Sequence, residues 1–339
     1  MKKTVSIVLF LLLSLALAIP CLAEDKTYKI EVLQVMKDAA PYKSAYAGFI
    51  KELAKNGIVE GKNLSVKFNY IDFDPEKGGF FKKVGVLMSI RSEAQEIADR
   101  KPDLVLTIGT APTKYGKDKL ISAGIPVVFT GVAIPQAAGC KSLTEAGPGF
   151  TGATVYMNMK DALSILKLAF PEVKTYGIVH SDDDSALAHV EEAIKFGAGS
   201  GLTFVTKKVD KSDSIKPAIQ ELISKGAQAF IAPQDTYYGV RNAEPIHDLA
   251  AISKATKIPF ISFMLEKVPG ALLYIGSDFG YVGGLSAQQA VKILKEGVKP
   301  DRLPIMKQND IMILVDVKQF KAIDAHLPME ILKLAKPVE

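Results

Sequence analysis

Residues 103–131, DLVLTIGTAPTKYGKDKLISAGIPVVFTG, contain the pattern that decides the fold. A short apolar run over Asp103–Ile108 is closed by Gly109-Thr110, and a helix-forming stretch follows over 112–123. A second run rich in β-branched residues occupies Pro126–Thr130. Two buried strands joined by a helix make a βαβ unit, so this stretch predicts neighbouring parallel strands.

The same alternation of strands and helices continues on both sides of this unit. Before it, the pattern predicts a strand, a helix, a strand and a helix at Tyr28–Val35, Tyr42–Asn56, Leu64–Tyr70 and Met88–Arg100. After an irregular stretch at 131–149, it predicts strands near 151–155, 175–180, 203–208, 228–232, 258–262, 271–275 and 310–315. Helices are predicted between them near 159–169, 184–198, 213–225, 241–256 and 281–296, with a last short helix at 318–324. Such alternation is typical of parallel sheets with helices on both faces, and it predicts an α/β protein of two doubly wound, Rossmann-like units.

The N-terminus has the pattern of an export signal. Lys2 and Lys3 precede an apolar run over Val5–Ile19, which is too short and wrongly flanked for a good membrane anchor. In the following Pro20-Cys21-Leu22-Ala23, small residues occupy both positions that signal peptidase reads. We expect cleavage after Ala23 and export to the periplasm or another place outside the cytoplasm. Attachment of a lipid at Cys21 is the alternative.

Charge and cysteine content narrow the class of protein. Loss of Lys2 and Lys3 with the signal lowers the formal net charge from +5 to +3, and no Lys/Arg run is longer than two. We therefore expect no binding to nucleic acid, which usually needs a concentrated basic face. Cys140 would be the only cysteine left, so the folded chain depends on its apolar core and not on a disulfide.

Three short motifs suggest chemistry but each has a simpler explanation. The glycines of 147–152 match G-x-G-x-x-G, yet this stretch follows a loop and leads into a strand, where a dinucleotide motif does not occur. Asp72–Glu76 lacks the Gly and the final Glu of a calcium loop, so it is either a solvated turn or a weak cation site. Asp182–Asp184 is either the acidic first turn of a helix or a metal cluster. With no G-x-S-x-G elbow and no base near Cys140, we expect neither an enzyme nor a cofactor.

Hydroxyl and carboxylate groups remain at the predicted strand ends. Ligands of open α/β sheets bind beyond the carboxyl ends of strands, and two facing units would bring both sets of ends to one cleft. In the first unit Thr110 and Thr130-Gly131 hold this position. Thr110 and the following N–H groups either receive a ligand carboxylate or simply cap the next helix.

The second unit places carboxylates at the equivalent positions. Asp235 and Asp278 each follow a predicted strand, and Ser185 begins a predicted helix. Asp235 either holds a ligand ammonium group or caps a helix. A wall that receives anions and a wall of carboxylates together predict a small zwitterion such as an amino acid.

Several stretches, in the same order and spacing, resemble a known family. They are Gly48-Phe49, Gly61-Lys62-Asn63, Pro102–Ala111, Ile125–Val132, Thr151-Gly152, Ala232–Asp235, Gly270–Phe279 and Ala290–Lys295. Over nearly the whole mature chain they resemble the ABC transporter substrate-binding family that includes tryptophan and other aromatic amino-acid binders. This family has the type I periplasmic-binding fold.

The resemblance implies a solute receptor without catalysis, a monomer that delivers its ligand to a membrane permease and its ATPase. It supports four residues as ligand contacts, namely Thr110, Thr130, Ser185 and Asp235. The sequence departs from the family pattern at Ile134-Pro135, Asp184, Thr236 and the stretch around Tyr42, so the ligand class implied by the family is an amino acid or a related small zwitterion or carboxylate. The candidate ligand-binding residues are Tyr42, Thr110, Ala111, Thr130, Gly131, Asp184, Ser185, Asp235, Thr236 and Asp278.

The type I fold also implies three crossings between two lobes. We expect these near 150, 270 and 308, with one lobe formed by 24–149 and 271–307 and the other by 150–270 and 308–339. The function itself has two alternatives. One is a binding protein that presents its ligand to a receptor kinase or chemoreceptor, and the other is an α/β hydrolase-type enzyme.

Overall fold

The computed structural model describes residues 26–71 and 80–338, and only the backbone of residues 80–83. The predicted signal at 1–23 and the acidic turn at Asp72–Glu76 therefore lie outside the described residues. Within those ranges, no helix is long and apolar enough to cross a bilayer.

Strands and helices alternate along the described chain. The strands are β1 (Tyr28–Val35), β2 (Leu64–Ile71), β3 (Leu104–Ile108), β4 (Val127–Val132), β5 (Phe150–Thr154), β6 (Thr175–His180), β7 (Thr203–Lys208), β8 (Ala229–Ala232), β9 (Phe260–Ser262), β10 (Leu273–Gly276), β11 (Met306–Lys307), β12 (Met312–Val315) and β13 (Lys336–Pro337). The helices are α1 (Ala40–Lys55), α2 (Phe80–Arg100), α3 (Thr110–Ser122), α4 (Met159–Ala169), α5 (Asp184–Ser200), α6 (Ile215–Ser224), α7 (Val240–Thr256), α8 (Phe279–Glu296), α9 (Val317–Ala322) and α10 (Met329–Leu334). Short 3₁₀ turns occupy Pro135–Ala138, Thr236–Gly239 and Pro300–Arg302.

These strands form two sheets. The first has six strands in the order β11-β5-β4-β3-β1-β2, and the second has seven in the order β13-β12-β10-β9-β8-β6-β7. Neighbouring strands are parallel except for β10 and β12, which are antiparallel. Every residue of β3 and β4 is buried, as expected for parallel strands covered on both faces. The predicted fold class is confirmed.

Helices cover both faces of each sheet. In the first sheet α1 and α8 pack on one face and α2 and α3 on the other. α1 and α8 approach so closely that a Cβ on Gly48 would lie 1.8 Å from the Gly280 carbonyl oxygen. In the second sheet α4 and α5 pack on one face and α6 and α7 on the other.

Sheet membership differs from the predicted lobe boundaries at two strands. Residues 150–154 were expected to open the second lobe, but β5 pairs with β4 in the first sheet. Residues 271–276 were expected in the first lobe, but β10 pairs with β9 in the second. The sequence does not decide this membership, because a buried strand can satisfy its backbone hydrogen bonds in either sheet.

The crossings therefore lie between β5 and α4, between β10 and α8, and between β11 and β12. We call residues 26–154 and 277–307 lobe one, and residues 155–276 and 308–338 lobe two. The carboxyl ends of β3 and β4 belong to lobe one, and those of β6, β7 and β8 to lobe two.

Candidate functional site

The turn between β3 and α3 forms the centre of the lobe-one surface. Gly109 has φ +94° and ψ 169°, a conformation that is essentially restricted to glycine. A Cβ at this position would lie 2.7 Å from the Tyr42 hydroxyl oxygen, so the Tyr42 ring sits directly over the turn. The Gly109 N–H donates to the Thr130 carbonyl oxygen at 2.9 Å, which joins the ends of β3 and β4.

The start of α3 shows that Thr110 does not cap the helix, and its contact with a ligand stays a prediction. The N-cap residue is Gly109, and no side chain caps this helix. Thr110 is the first helical residue, not the cap, and its side chain is largely buried. The helix begins two residues earlier than expected because Pro112 is tolerated in a first turn, where its missing N–H has no partner to lose. The N–H groups of Thr110 and Ala111 thus head the helix beside Tyr42.

The end of β4 completes this surface. Thr130 is fully buried, and its hydroxyl has no hydrogen-bond partner among the described residues. Gly131 has φ +66°, and a Cβ there would lie 3.5 Å from the Phe279 ring and 3.7 Å from the Gly109 nitrogen. The lobe-one wall is our name for Tyr42, Gly109–Ala111, Thr130, Gly131 and Phe279. It contains rings, hydroxyls and backbone N–H groups, and no charged side chain.

Asp235 lies at the end of β8 in lobe two, where the sequence predicts a carboxylate. Its Oδ2 accepts from the Ser181 N–H at 2.6 Å, and its Oδ1 accepts from the Ser181 hydroxyl at 2.7 Å and the Tyr237 N–H at 2.9 Å. Asp235 is thus the N-cap of the turn at Thr236–Gly239, as the alternative interpretation predicted. Burial, followed by the nearby charge of Asp183, raises its pKa to about 7. A contact between Asp235 and a ligand ammonium group stays a prediction.

A second carboxylate, Asp183, lies next to Asp235. Its Oδ1 is 2.5 Å from the Lys211 ammonium nitrogen, and its Oδ2 accepts from the Thr236 N–H at 3.0 Å and the Thr236 hydroxyl at 2.5 Å. Burial raises the pKa of Asp183, but Lys211 and Thr236 outweigh burial and hold it below its ordinary value. The lobe-two wall is our name for Ser181, Asp183, Lys211, Asp235 and Thr236.

The loops that carry the two walls lie close together, since Lys114 of α3 pairs with Asp184, the neighbour of Asp183, at 2.8 Å. Burial and the charge of Asp183 raise the pKa of the Tyr42 hydroxyl above its usual range, which is an electrostatic interaction between the lobes. Strand ends of both sheets therefore lie close together, and a ligand cleft between them stays a prediction.

Asp184 belongs to the rim of the cleft and not to the lobe-two wall. Its carboxylate pairs with Lys114 of α3 at 2.8 Å and accepts from the Tyr115 hydroxyl at 3.3 Å, so it joins the two lobes. Ser185 is partly buried in the first turn of α5. Asp184 has partners from the protein in this structure, and its contact with a ligand stays a prediction.

Asp278 is bonded within its own helix, and its contact with a ligand stays a prediction. It caps α8 by accepting from the Tyr281 N–H at 2.8 Å, and it lines a groove of about 840 Å³ beside the hinge crossings. Glu266 from lobe two lines the same groove, and none of the other predicted site residues does. Among residues 26–71 and 80–338, no group of three or more His, Cys, Asp or Glu side chains is arranged to hold a metal ion.

Comparison with known proteins assigns the chain to a family. Residues 29–339 match the model of the family described as ABC transporter substrate binding protein. The chain belongs to this family. The resemblance found in the sequence is confirmed, and members of such families are binding proteins, typically extracytoplasmic, that associate with a small-molecule ligand and an ABC transporter.

Individual relatives agree with this assignment. The chain is 25% identical over 285 residues to a tyrosine-binding protein of Clostridioides difficile, covering 83% of this chain and 76% of that protein. It is similar in structure to an ABC domain in complex with L-Trp from Streptococcus pneumoniae, with TM-score 0.77, 22% identity, and coverage of 93% of this chain and 100% of that one. A ribose ABC transporter protein from Conexibacter woesei matches with TM-score 0.58 at 15% identity, over 89% and 96% of the two chains. These structural likenesses support the type I fold.

Two important residues of this binding protein were missed from the sequence. Asp183 was recognised only as part of an acidic run, and Lys211 was not considered although it follows β7 by three residues. The rule that ligands bind beyond strand ends would have found Lys211 if it had been applied to every strand. Its pairing with Asp183 joins two separate loops, and no sequence pattern indicates it.

Proposed function

We propose that this binding protein receives a small carboxylate-bearing solute between its two lobes and delivers it to the permease of an ABC importer. The observation that supports the proposal is the contact between the lobes beside the strand ends of both sheets, where Lys114 of α3 pairs with Asp184 at 2.8 Å. The first-turn N–H groups of α3 suit a carboxylate, because a helix N-terminus carries partial positive charge and free donors.

The class of solute we propose is an amino acid or a related small zwitterion or carboxylate with an aromatic group. Tyr42 and Phe279 provide flat apolar surface on the lobe-one wall, where a ring can stack. The names of two relatives support this class, since one binds tyrosine and another was solved with L-Trp. The ligand contacts we propose are Tyr42, Thr110, Ala111, Thr130 and Gly131 on one side and Asp235, Thr236 and Ser185 on the other.

Closure would occur about the three crossings between the lobes, in the manner of a hinge. We further propose that export removes residues 1–23 and leaves a soluble monomer. Mass spectrometry of the exported protein would then give a chain that begins at Glu24. A chain that begins with a lipidated Cys21 would support the alternative anchor.

A thermal-shift screen of the exported protein, stripped of bound ligand by unfolding and refolding, tests the proposed function. The panel holds aromatic and aliphatic amino acids, their deaminated analogues and simple sugars. A ligand at a hundred times its Kd stabilises a protein by about 2.7 kcal/mol, so we expect at least one aromatic carboxylate to raise Tm by about 5 °C. A shift with sugars and none with any carboxylate would contradict the proposal.

A further inference from the structure

The lobe-two wall contains its own ammonium group. The Lys211 nitrogen lies 2.5 Å from Asp183 Oδ1 and 2.7 Å from the Thr236 hydroxyl. Both side chains of the pair are only 20% exposed. Burial lowers the pKa of Lys211, but the charge of Asp183 outweighs it and holds this pKa above its ordinary value.

The loop that carries Lys211 is held in place from two directions. The Arg241 guanidinium donates to the Lys211 carbonyl oxygen and, at 2.7 Å, to the Asp213 carbonyl oxygen. The Tyr237 hydroxyl donates to the same Asp213 oxygen at 2.9 Å. The ammonium group is therefore positioned by the fold and does not depend on a mobile surface side chain finding its partner.

The carboxylates around it already have partners. Asp235 accepts three hydrogen bonds from Ser181 and Tyr237, and it is 5% exposed. Asp183 accepts from Lys211 and twice from Thr236, and Asp184 pairs with Lys114 across the rim. An ammonium group brought by a ligand would compete with these donors and would meet the positive charge of Lys211 at short range.

We propose that Lys211 determines ligand class by supplying from within the protein the cation that an amino acid would otherwise bring. This inference rests on the proposed function and refines it: the site takes aromatic carboxylates that lack an amino group. The carboxylate of such a ligand binds the lobe-one wall. The lobe-two wall presents the Lys211–Asp183 pair, whose opposite charges already neutralise each other.

Two matched pairs of ligands test this on the unchanged protein. L-tryptophan is compared with indole-3-propionate, and L-tyrosine with 3-(4-hydroxyphenyl)propionate, since each pair differs only in the amino group. We expect calorimetry at neutral pH to give a Kd at least tenfold lower for the deaminated member of one pair. Tighter binding of the amino acids would overturn the inference and leave the proposed function standing. If no member of either pair binds the folded protein, the inference fails, and the wider thermal-shift panel decides whether the proposed function fails with it.

Substitution of Lys211 tests the assignment to this residue. Lys211→Met removes the internal cation and leaves Asp183 without an ionic partner, so we expect the preference to shift at least tenfold toward the amino acid. Lys208→Met makes the same chemical change at an exposed lysine three residues away and should leave the ratio unchanged. An unchanged ratio in folded Lys211→Met would overturn the assignment.

A further variant covers the case in which Lys211→Met does not fold. The double variant Asp183→Asn/Lys211→Met removes both charges of the pair together, so no buried charge is left alone. It should lose the discrimination against the amino group, with the two members of each pair binding within threefold of each other. A retained tenfold preference for the deaminated member would overturn the role of Lys211.

Discussion

The two walls of the cleft differ in how their polar groups are satisfied. The lobe-one wall is uncharged, and its Thr130 hydroxyl has no hydrogen-bond partner among the described residues. In the lobe-two wall, by contrast, Lys211 donates to Asp183, and Asp183 and Asp235 each accept from backbone N–H groups of the same lobe. Both walls are built from the same feature, the loop after a parallel strand, so their difference comes from side chains alone.

This difference assigns separate tasks to the lobes. A wall of donors without charge can receive an anionic group at little cost, because no existing ion pair has to be broken. A wall of paired charges is rigid and selective, since a ligand group that binds there must replace a hydrogen bond or an ion pair that is already made. The predictions below perturb each wall in turn and then the contacts between the lobes.

The largest effect is expected from Asp235→Ala. Loss of the carboxylate leaves two backbone N–H groups and the Ser181 hydroxyl buried without an acceptor, which should lower the free energy of unfolding by about 3 kcal/mol. Asp235→Asn keeps an oxygen at the Oδ1 position but places an amide donor opposite the Ser181 N–H, so a smaller loss of about 1 to 2 kcal/mol is expected. Urea denaturation measures both. An alanine variant as stable as the wild type would show that Asp235 has no structural role.

The lobe-one wall is most sensitive at Gly109. In Gly109→Ala the new methyl group would lie 2.7 Å from the Tyr42 hydroxyl, and the φ of +94° would disfavour any other residue than glycine. Tyr42 must move, so we expect ligand affinity to fall about a hundredfold, which equals about 2.7 kcal/mol.

Gly124→Ala is the matched control for Gly109. Its φ of +78° is also positive, but no atom lies within 4 Å of the new methyl group. Stability should fall by about 1 kcal/mol and ligand affinity should not change. Equal losses of affinity in the two variants, measured by calorimetry, would mean that the effect at Gly109 is general strain and not the displacement of Tyr42.

Much of the fold follows from the sequence, because fully buried parallel strands such as β3 and β4 leave unbroken apolar runs between helical patterns. The sequence does not show which sheet β5 joins or which sheet β10 joins, since an apolar run is compatible with either sheet. For the site, strand-end positions such as Thr110 and Asp235 can be predicted from the same rule. The partners of a buried charge cannot be predicted from this rule, because Asp183 and Lys211 come from loops after different strands.

Outside the lobe-two wall, not every buried carboxyl oxygen of lobe two has a hydrogen-bond partner, and Glu266 is the example. Its Oε2 is buried without a hydrogen-bond partner among the described residues, and burial, with the charge of Asp278 added, raises its pKa to about 7. A carboxyl whose folded pKa is raised keeps a proton that the unfolded chain releases, so the contribution of Glu266 to stability is largest below about pH 4.5 and is lost as pH rises through about 7.

Glu266→Gln should abolish the loss of stability that the ionisation of Glu266 causes as pH rises. We expect the variant to gain stability relative to the wild type, by on the order of 2 kcal/mol, between pH 5 and pH 8. Glu296→Gln, at the exposed end of α8, is the control and should show a constant difference over the same range. Parallel stability curves for wild type and Glu266→Gln would show that Glu266 ionises at an ordinary pH.

The smallest effect is expected where the rims of the two lobes touch. Lys114 and Asp184 are 2.8 Å apart and about one-third and one-quarter exposed, so this pair should favour closure by only about 0.5 kcal/mol. Lys114→Gln should weaken ligand binding two- to threefold at 20 mM salt and not at 500 mM, where the pair is screened in the wild type as well. Lys119→Gln, an exposed residue of the same helix, should not reproduce this salt dependence.

A double-mutant cycle with Asp184→Asn separates the pair from other effects of Lys114, because two residues that act only through each other give no further loss when both are replaced. Additive losses would mean that Asp184 contacts the ligand, as the sequence first indicated, and that the lobes are held closed by the ligand alone.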